Sequence, residues 1–285
     1  MLTGESVFTF IYRWVGLTFV IRHAIINYLN NLINHIKNGL EFLDWIIDIM
    51  PEMRLNYEFL QYLVNRTNET NGIEQLPSLN KMSQELGVSV AYLREQLEVA
   101  KALGLVEARP RTGIRRLPFS FLPAVKQSAS YAIAMQPDYF WKFSDLRIHI
   151  EAAYWNEAVK KLTSEDHQVL KNLVDQAWKK LRGNPIEIPH VEHRQLHLRI
   201  YSRLDNLFVQ GLLEAYWDLY EAVGMNLYTE YDYLEQVWKY HQHMVEAICT
   251  NQVDLGFKAL VEHKDLIHHR AKTRHMKTED AIHKE

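Results

Sequence analysis

The sequence predicts a mainly α-helical protein in which an N-terminal winged helix-turn-helix is followed by an all-α antiparallel bundle of six to seven helices. Apolar residues recur at the three-and-four spacing of helices along most of the chain after residue 53. A single pair of short alternating segments lies in the first half, directly after three short helical patterns. No strand-like alternation of any length follows Pro137.

The composition is that of a folded protein in a reducing compartment. Its 285 residues are 47% hydrophobic and 12% aromatic, which is ample for packed cores. The net charge of -3 excludes a generally cationic chain, so any nucleic-acid surface must come from a local cluster of basic residues. The single cysteine, Cys249, excludes an intrachain disulfide and indicates a cytoplasmic protein.

The first 52 residues form an apolar extension that allows several interpretations. Residues 7–21 are strongly apolar but contain Arg13, and they fall short of the roughly 18 to 20 apolar residues of a membrane span. No small-residue cleavage site follows, which disfavours a secretory signal. The segment is an amphipathic helix, a peripheral membrane helix, or translated sequence ahead of a start at Met50 or Met53.

Three helical patterns and a hairpin make up the predicted winged helix-turn-helix, residues 53–118. The second helix begins at Ser78, a residue type that caps helices, and stops at Gly87. Ser89 then caps a third helix, which ends at Gly104. Residues 105–109 and 114–117 alternate on either side of a turn and predict a two-stranded wing.

The second half of the chain is predicted to be helical throughout. Residues 119–136 are expected to be a linker, with room for a short helix over residues 123–135. Residues 137–268 hold long helical patterns separated by short polar breaks, which indicates a bundle. Residues 269–285 are charged, lack an apolar period and are predicted to form a frayed tail.

The winged module carries an excess of basic residues that suits binding to DNA. Seven lysines and arginines accompany four glutamates between residues 76 and 118. The exposed start of the third helix is expected to read base edges in a major groove, and the wing to make a second contact. The candidate contacts are Ser89, Ala91, Tyr92, Arg111, Thr112 and Gly113. The alternative is a protein–protein module whose arginines form a solvated face.

Short runs in this module resemble, in order and spacing, the pattern of the GntR regulators. The runs are Leu76-Pro77-Ser78, Leu86-Gly87-Val88-Ser89, Leu93-Arg94-Glu95-Gln96-Leu97, Leu103-Gly104-Leu105-Val106 and Gly113. The resemblance implies a ligand-responsive repressor that binds a short palindromic operator in double-stranded DNA as a homodimer. By position it adds Ser78, Asn80 and Arg94 to the candidate DNA contacts. Leu79, Asn80 and Val90 differ from the residues usual in the family, so a different operator sequence is expected.

Four histidines form the candidate metal site. His193 and His197 are four residues apart, which places both imidazoles on one face of a helix, and His241 and His263 lie on two later helices. Neutral imidazoles that converge inside a bundle can hold a divalent transition ion. Spacing alone leaves a chance arrangement open, because the chain has 14 histidines.

Residues 139–266 resemble the FCD effector domain of the FadR subfamily. The resemblance is carried by Arg147, Glu151, His193, Leu196, His197, Asn206, His241, Ala247, Ile248 and His263. It implies a metal on the four histidines and beside it an effector, typically a small organic acid, with Arg147 and Asn206 as effector-binding residues. Metal-binding members have an aspartate where this chain has His193, and the all-imidazole set favours zinc, nickel or iron(II) over manganese.

Three alternatives stay open at this point. A metal-free cavity would bind an apolar or acyl effector, and the aromatic residues of the second half are compatible with that. A helical-bundle metalloenzyme needs several E-x-x-H motifs, whereas the only one here ends at His190 and contains Pro189, so an enzyme is disfavoured. A membrane-tethered adaptor depends entirely on the first 52 residues, and a membrane partner is therefore not expected.

Overall fold

The computed structural model describes residues 57–67, 74–225, 230–263 and 266. The apolar extension 1–52 and the charged tail 269–285 lie outside these residues, so both stay predictions. Contacts divide the chain into two units, residues 1–65 and 66–285. Most of helix α1 (Glu58–Thr67) belongs to the first unit, and Phe59, Tyr62 and Leu63 are buried along it.

Two capped helices form the helix-turn-helix of the second unit. In α2 (Leu79–Leu86) the Ser78 side chain accepts a hydrogen bond from the backbone N–H of Lys81, and the helix ends at Gly87 with a φ of 69°. In α3 (Val90–Ala102) the Ser89 side chain accepts from the backbone N–H of Tyr92. Serine caps satisfy N–H groups that have no partner within the helix, which explains why both helices begin where the sequence predicts.

The wing is a small antiparallel sheet. β2 (Val106–Arg109) pairs with β3 (Gly113–Arg116) in the predicted hairpin. β1 (Glu74–Gln75) pairs with the other edge of β3, so the strand order is β1-β3-β2. The sequence predicts only two strands here, because a strand of two residues is too short to show an alternating pattern.

Helices account for the rest of the described chain. Their bounds are α4 (Leu122–Met135), α5 (Tyr139–Lys160), α6 (Ser164–Leu181), α7 (His190–Tyr201), α8 (Leu207–Ala222), α9 (Tyr231–Cys249) and α10 (residues 253–263). The main core includes Trp155, Leu170, Leu196 and Trp238, which come from four different helices. These seven helices of the described residues agree with the predicted six- to seven-helix bundle.

The segment expected to be a linker, residues 119–136, is mostly helix α4, which packs along α8. A Cβ atom on Gly211 of α8 would lie 2.6 Å from the backbone nitrogen of Leu122, so only glycine allows this close approach. Phe119 and Phe121 also make edge-to-face contacts with Phe208. Because of these contacts, α4 packs as part of the bundle and is not a free connection.

A buried carboxylate joins the start of α6 to the end of α7. Asp166 is 0% exposed and accepts hydrogen bonds from the Thr163 backbone N–H and hydroxyl, both at 2.8 Å, and from Arg203 Nε at 3.0 Å. Burial by itself raises the pKa of Asp166, but the hydrogen bonds from Arg203 and Thr163 outweigh it and the pKa is lowered.

We expect Asp166→Asn to lower the free energy of unfolding by about 1 to 3 kcal/mol, because the capping and charged hydrogen bonds weaken together. Since the folded state depresses the pKa of Asp166, its contribution is present at neutral pH and is lost as the pH falls below about 4. Urea unfolding at pH 7 and at about pH 2 measures both effects. The matched control is Asp175→Asn, an exposed position on the same helix, and an equal loss in both variants contradicts the prediction.

Candidate functional site

The bundle brings the four predicted histidines together. His193 and His197 come from α7, His241 from α9 and His263 from α10, and one ring nitrogen of each lies within 4.8 Å of the others. His197, His241 and His263 are buried, and His193 is partly buried. Two residues of one helix and one from each of two others therefore supply the nitrogens, as the predicted cluster requires.

The spacing of the nitrogens fits a bound divalent ion. Nitrogens held 2.0 to 2.1 Å from one ion lie roughly 3 Å apart at neighbouring positions and roughly 4 Å apart at opposite ones. The Nε2 atoms of His197 and His241 are 3.0 Å apart, and the 4.8 Å spread of the set needs only a small contraction. In addition, the buried Nε2 of His263 has no hydrogen-bond partner among the described residues, so this nitrogen can coordinate a metal ion.

A carboxylate behind the cluster orients one of the imidazoles. His197 Nδ1 lies 3.0 Å from Glu151 Oε1, and Arg147 Nη1 donates to Glu151 Oε2 at 2.8 Å. Burial raises the pKa of Glu151, but Arg147 and His197 outweigh it and the pKa is lowered, so the carboxylate accepts from both neighbours. With its proton on Nδ1, His197 turns the lone pair of Nε2 toward the other histidines.

Two of the buried histidines, His241 and His263, have lowered pKa values that favour the neutral imidazole, the form that binds a cation. Burial and the neighbouring histidines lower the pKa of His241 well below its usual value. Burial, then His197 and Arg147, do the same for the pKa of His263. A neutral imidazole keeps a lone pair at pH 7, which metal binding requires.

The two predicted effector-binding residues lie in different surroundings. Arg147 is 2% exposed, packs over the Tyr216 ring at 4.5 Å, and lines a cavity of about 50 Å³ with Glu151 and His263. Asn206 caps α8, where its side-chain oxygen accepts from Val209 N–H at 3.2 Å and its amide donates to the Tyr154 hydroxyl at 3.2 Å. Neither cavity beside the histidines is lined by Asn206, so only Arg147 adjoins the cluster.

Sequence reasoning missed two residues of this site. Glu151 belongs to the residues that resemble the FCD domain, but the sequence analysis gives it no role. Its position four residues after Arg147, on the same helix face, is a signal that the two side chains pair. Trp217 has no role in the site predicted from sequence, and its ring centroid lies 4.7 Å from that of His193 and 5.2 Å from that of His197. No sequence pattern marks this contact, because it depends on how α8 packs against α7.

The nine residues predicted to contact DNA are all exposed. They are Ser78, Asn80, Ser89, Ala91, Tyr92, Arg94, Arg111, Thr112 and Gly113. At the wing tip Arg111 and Gly113 have φ values of 69° and 75°, and Gln75 donates to the Thr112 carbonyl at 2.8 Å. The starts of α2 and α3 and the tip of the wing thus present these residues to solvent.

The basic excess of the winged module is partly neutralised by ion pairs. Five of its seven basic residues pair with glutamates: Lys81 with Glu85, Lys101 with Glu98, Arg109 and Arg115 with Glu107, and Arg116 with Glu74. Arg94 and Arg111 form no ion pair among the described residues. Their charges are therefore the ones most available to phosphates.

Comparison with known proteins relates the chain to one domain family and one fold. Residues 143–266 match the FCD domain family. The fold is similar to that of Streptococcus agalactiae GntR, with a TM-score of 0.55 and 16% identity, over 74% of this chain and 95% of that one. No curated protein matches the chain significantly.

Two further solved structures align with lower scores. A GntR family transcriptional regulator from Pseudomonas syringae pv. tomato has a TM-score of 0.35 and 18% identity, over 79% of this chain and 85% of its own. E. coli McbR/YncC has a TM-score of 0.40 and 16% identity, over 70% of this chain and 87% of its own. None of the helices described here is long and apolar enough to cross a membrane.

These comparisons test the predictions made from sequence. The predicted fold class is confirmed, and so is the predicted FCD-like character of the second half. The individual DNA, effector and metal residues are not tested by them, and those assignments stay predictions.

We expect the purified protein to carry about one divalent transition ion per chain, and His241→Ala to lose it, because a buried ligand is removed from the cluster. The measurement is the metal content after gel filtration, by plasma mass spectrometry. His243→Ala is the matched control, since His243 is exposed on the same helix. Equal metal content in the two variants would contradict the assignment of the metal site.

Proposed function

We propose that this chain, a GntR-type regulator with a C-terminal FCD domain, binds operator DNA through its winged helix-turn-helix and represses until an effector occupies the bundle. The observation that carries the proposal is the exposed, serine-capped start of α3, next to an exposed wing. A helix that begins in this way can enter a major groove with its first turn, while the wing contacts the adjacent backbone. We further propose a homodimer, because a short palindrome is read by two copies of the module.

The bundle is proposed to hold a divalent transition ion on His193, His197, His241 and His263. The donor set, its spacing and the Glu151 carboxylate behind His197 support this assignment. Zinc, nickel and iron(II) fit four neutral imidazoles better than manganese does. When bound, the ion supplies a fixed positive charge next to Arg147, where a small organic acid is proposed to bind as effector.

The space beside the four histidines is too small for an acyl or other large apolar effector. The cavities beside the cluster measure about 50 and about 20 Å³, whereas pockets for drug-sized ligands measure about 300 to 1,000 Å³. Aromatic residues that are compatible with such an effector, including Tyr216, Trp217 and Trp238, are instead buried parts of the core. The effector is therefore proposed to be small.

Helix α4 offers a physical connection between the histidine cluster and the reading helix. Asp218 accepts from Lys126 of α4 and from Arg194 of α7, both at 2.7 Å. Asp218 directly follows Trp217, and Arg194 directly follows His193. One turn earlier in α4, a Cβ on Gly104 would lie 2.4 Å from Pro123, so the end of α3 and the start of α4 touch. We propose that a displacement of α7 or α8 at the histidine cluster is transmitted through Asp218 and α4 to the end of α3.

For DNA binding, we expect Arg94→Ala to weaken the affinity about tenfold at physiological salt. It should also reduce the slope of log affinity against log salt concentration by about 1, the value for one lost phosphate contact. Duplexes selected from a random pool by the wild-type protein serve as the probe, and fluorescence anisotropy is the measurement. Lys101→Ala, which removes an ion-paired charge from the same helix, is the control and should change the affinity less than twofold. The proposal is wrong if the selection enriches no sequence.

For the connection, we expect Asp218→Asn to reduce the change in DNA affinity that one equivalent of zinc produces in metal-free protein, while the amount of zinc bound stays at the wild-type level. The reason is that the substitution weakens the links from α8 to α4 and α7 but leaves the histidines in place. Glu221→Gln on the same helix, whose contact with Arg194 is 3.5 Å, is the control. A zinc response as large in Asp218→Asn as in the wild type contradicts the route.

A further inference from the structure

We infer that His190 is an outer metal-binding residue, which a divalent ion contacts first as it enters the bundle between the starts of α7 and α9, an inference that rests on the proposed metal site. The partial exposure of one ligand, the lining of two cavities beside the cluster and the charges around these cavities support this route of entry.

One of the four proposed ligands is more accessible than the others. His197, His241 and His263 are 0 to 2% exposed, whereas His193 is partly exposed. His193 is also the first of the four along the chain and lies in the first turn of α7. An ion that comes from solvent therefore meets the cluster at His193.

Two small cavities adjoin the cluster, and each has a further histidine in its lining. The cavity of about 20 Å³ is lined by His190 and His193, together with residues of α8 and α9. The cavity of about 50 Å³ is lined by His149 and His263. The two linings share no residue, so they are two separate approaches to the cluster.

The histidines of α7 form a continuous row. His190, His193 and His197 follow one another at spacings of three and four residues, which places them on one face of the helix. His190 Nδ1 lies 3.4 Å from the Ile188 carbonyl oxygen, and this favours a proton on Nδ1 and a lone pair on Nε2. His190 can therefore hold a hydrated ion while His193 displaces one of its water molecules.

The charges around the His190 cavity suit a cation. No lysine or arginine among the described residues lines it. Glu187 and Asp232, which directly precede two of its lining residues, are exposed. Arg194 and Lys239, which directly follow two others, are both ion-paired. Exposed carboxylates raise the local concentration of cations at an entrance, and with it the rate of association.

The other approach is unfavourable for a cation. An ion that passes His149 meets the guanidinium of Arg147, which is 2% exposed and lines that cavity. Both oxygens of Glu151 are engaged by Arg147 and His197. Like charges repel more strongly in a protein interior than in water. The ion therefore enters past His190, and the Arg147 side is left to the anionic effector proposed above.

The rates at which the full-length protein takes up and releases Co²⁺ test this role. Stopped-flow absorption follows uptake by metal-free protein and release to an excess of chelator. Because an ion leaves by the route on which it enters, His190→Ala should slow both rates about tenfold and leave the dissociation constant within about twofold of the wild-type value.

Two further variants complete the experiment. His190→Gln keeps a side-chain N–H for the Ile188 carbonyl but has no imidazole, and it should slow both rates as His190→Ala does. His149→Ala is the matched control, since it removes the exposed histidine of the other cavity. It should leave both rates at the wild-type level.

The outcomes separate the entry route from the metal site. If Co²⁺ binds stoichiometrically but both His190 variants exchange it at the wild-type rates, the role of His190 is overturned and the metal site stands. Slower exchange in His149→Ala than in His190→Ala contradicts the choice of entrance. A raised dissociation constant with unchanged uptake contradicts it too, because a residue that only stabilises the loaded site gives that result. If His190→Ala does not fold, His190→Gln decides. Absence of bound Co²⁺ in the wild type overturns both proposals.

Discussion

The geometry of the histidine cluster depends on the hydrogen bond between His197 and the buried Glu151 carboxylate. Arg147 holds the same carboxylate from α5, and the Tyr201 hydroxyl donates to the Glu151 backbone carbonyl at 2.8 Å. Together these bonds fix α5 against α7 and decide which nitrogen of His197 carries the proton. Without Glu151 the imidazole would lack its orienting partner, and Arg147 would be a buried charge without compensation.

Aromatic packing around the cluster leaves only small cavities beside it. Trp217, Trp238 and Tyr220 surround His193, with ring centroids 4.7 to 6.2 Å from its own. In such surroundings electrostatic interactions are stronger than in water, so one added charge has a large effect on the packing of the helices. A site of this kind suits a regulator whose signal is small and charged.

The winged module and the bundle meet at α4, and their connection relies on close packing. Two glycines, Gly104 and Gly211, permit that packing at the start of α4, against Pro123 and Leu122, and the pairing of Asp218 with Lys126 adds a polar link. Tightly packed contacts of this kind transmit displacements better than flexible linkers do, since interiors have low compressibility. The physical link between the winged module and the bundle is therefore helix α4, in a segment that the sequence predicts to be a linker with room for a short helix.

The sequence by itself determined those features that arise from neighbouring residues. Ser78 and Ser89 mark helix starts because a serine hydroxyl satisfies a free backbone N–H, and His193 with His197 share a face because a helix repeats every 3.6 residues. The tertiary structure alone decided how distant segments meet. The meeting of His241 and His263 with α7, the contact of Trp217 with His193 and the pairing of Arg116 with Glu74 depend on side-chain packing between elements far apart in the chain. Local hydrogen bonding and periodicity carry no information about those approaches, whereas the packed core fixes them.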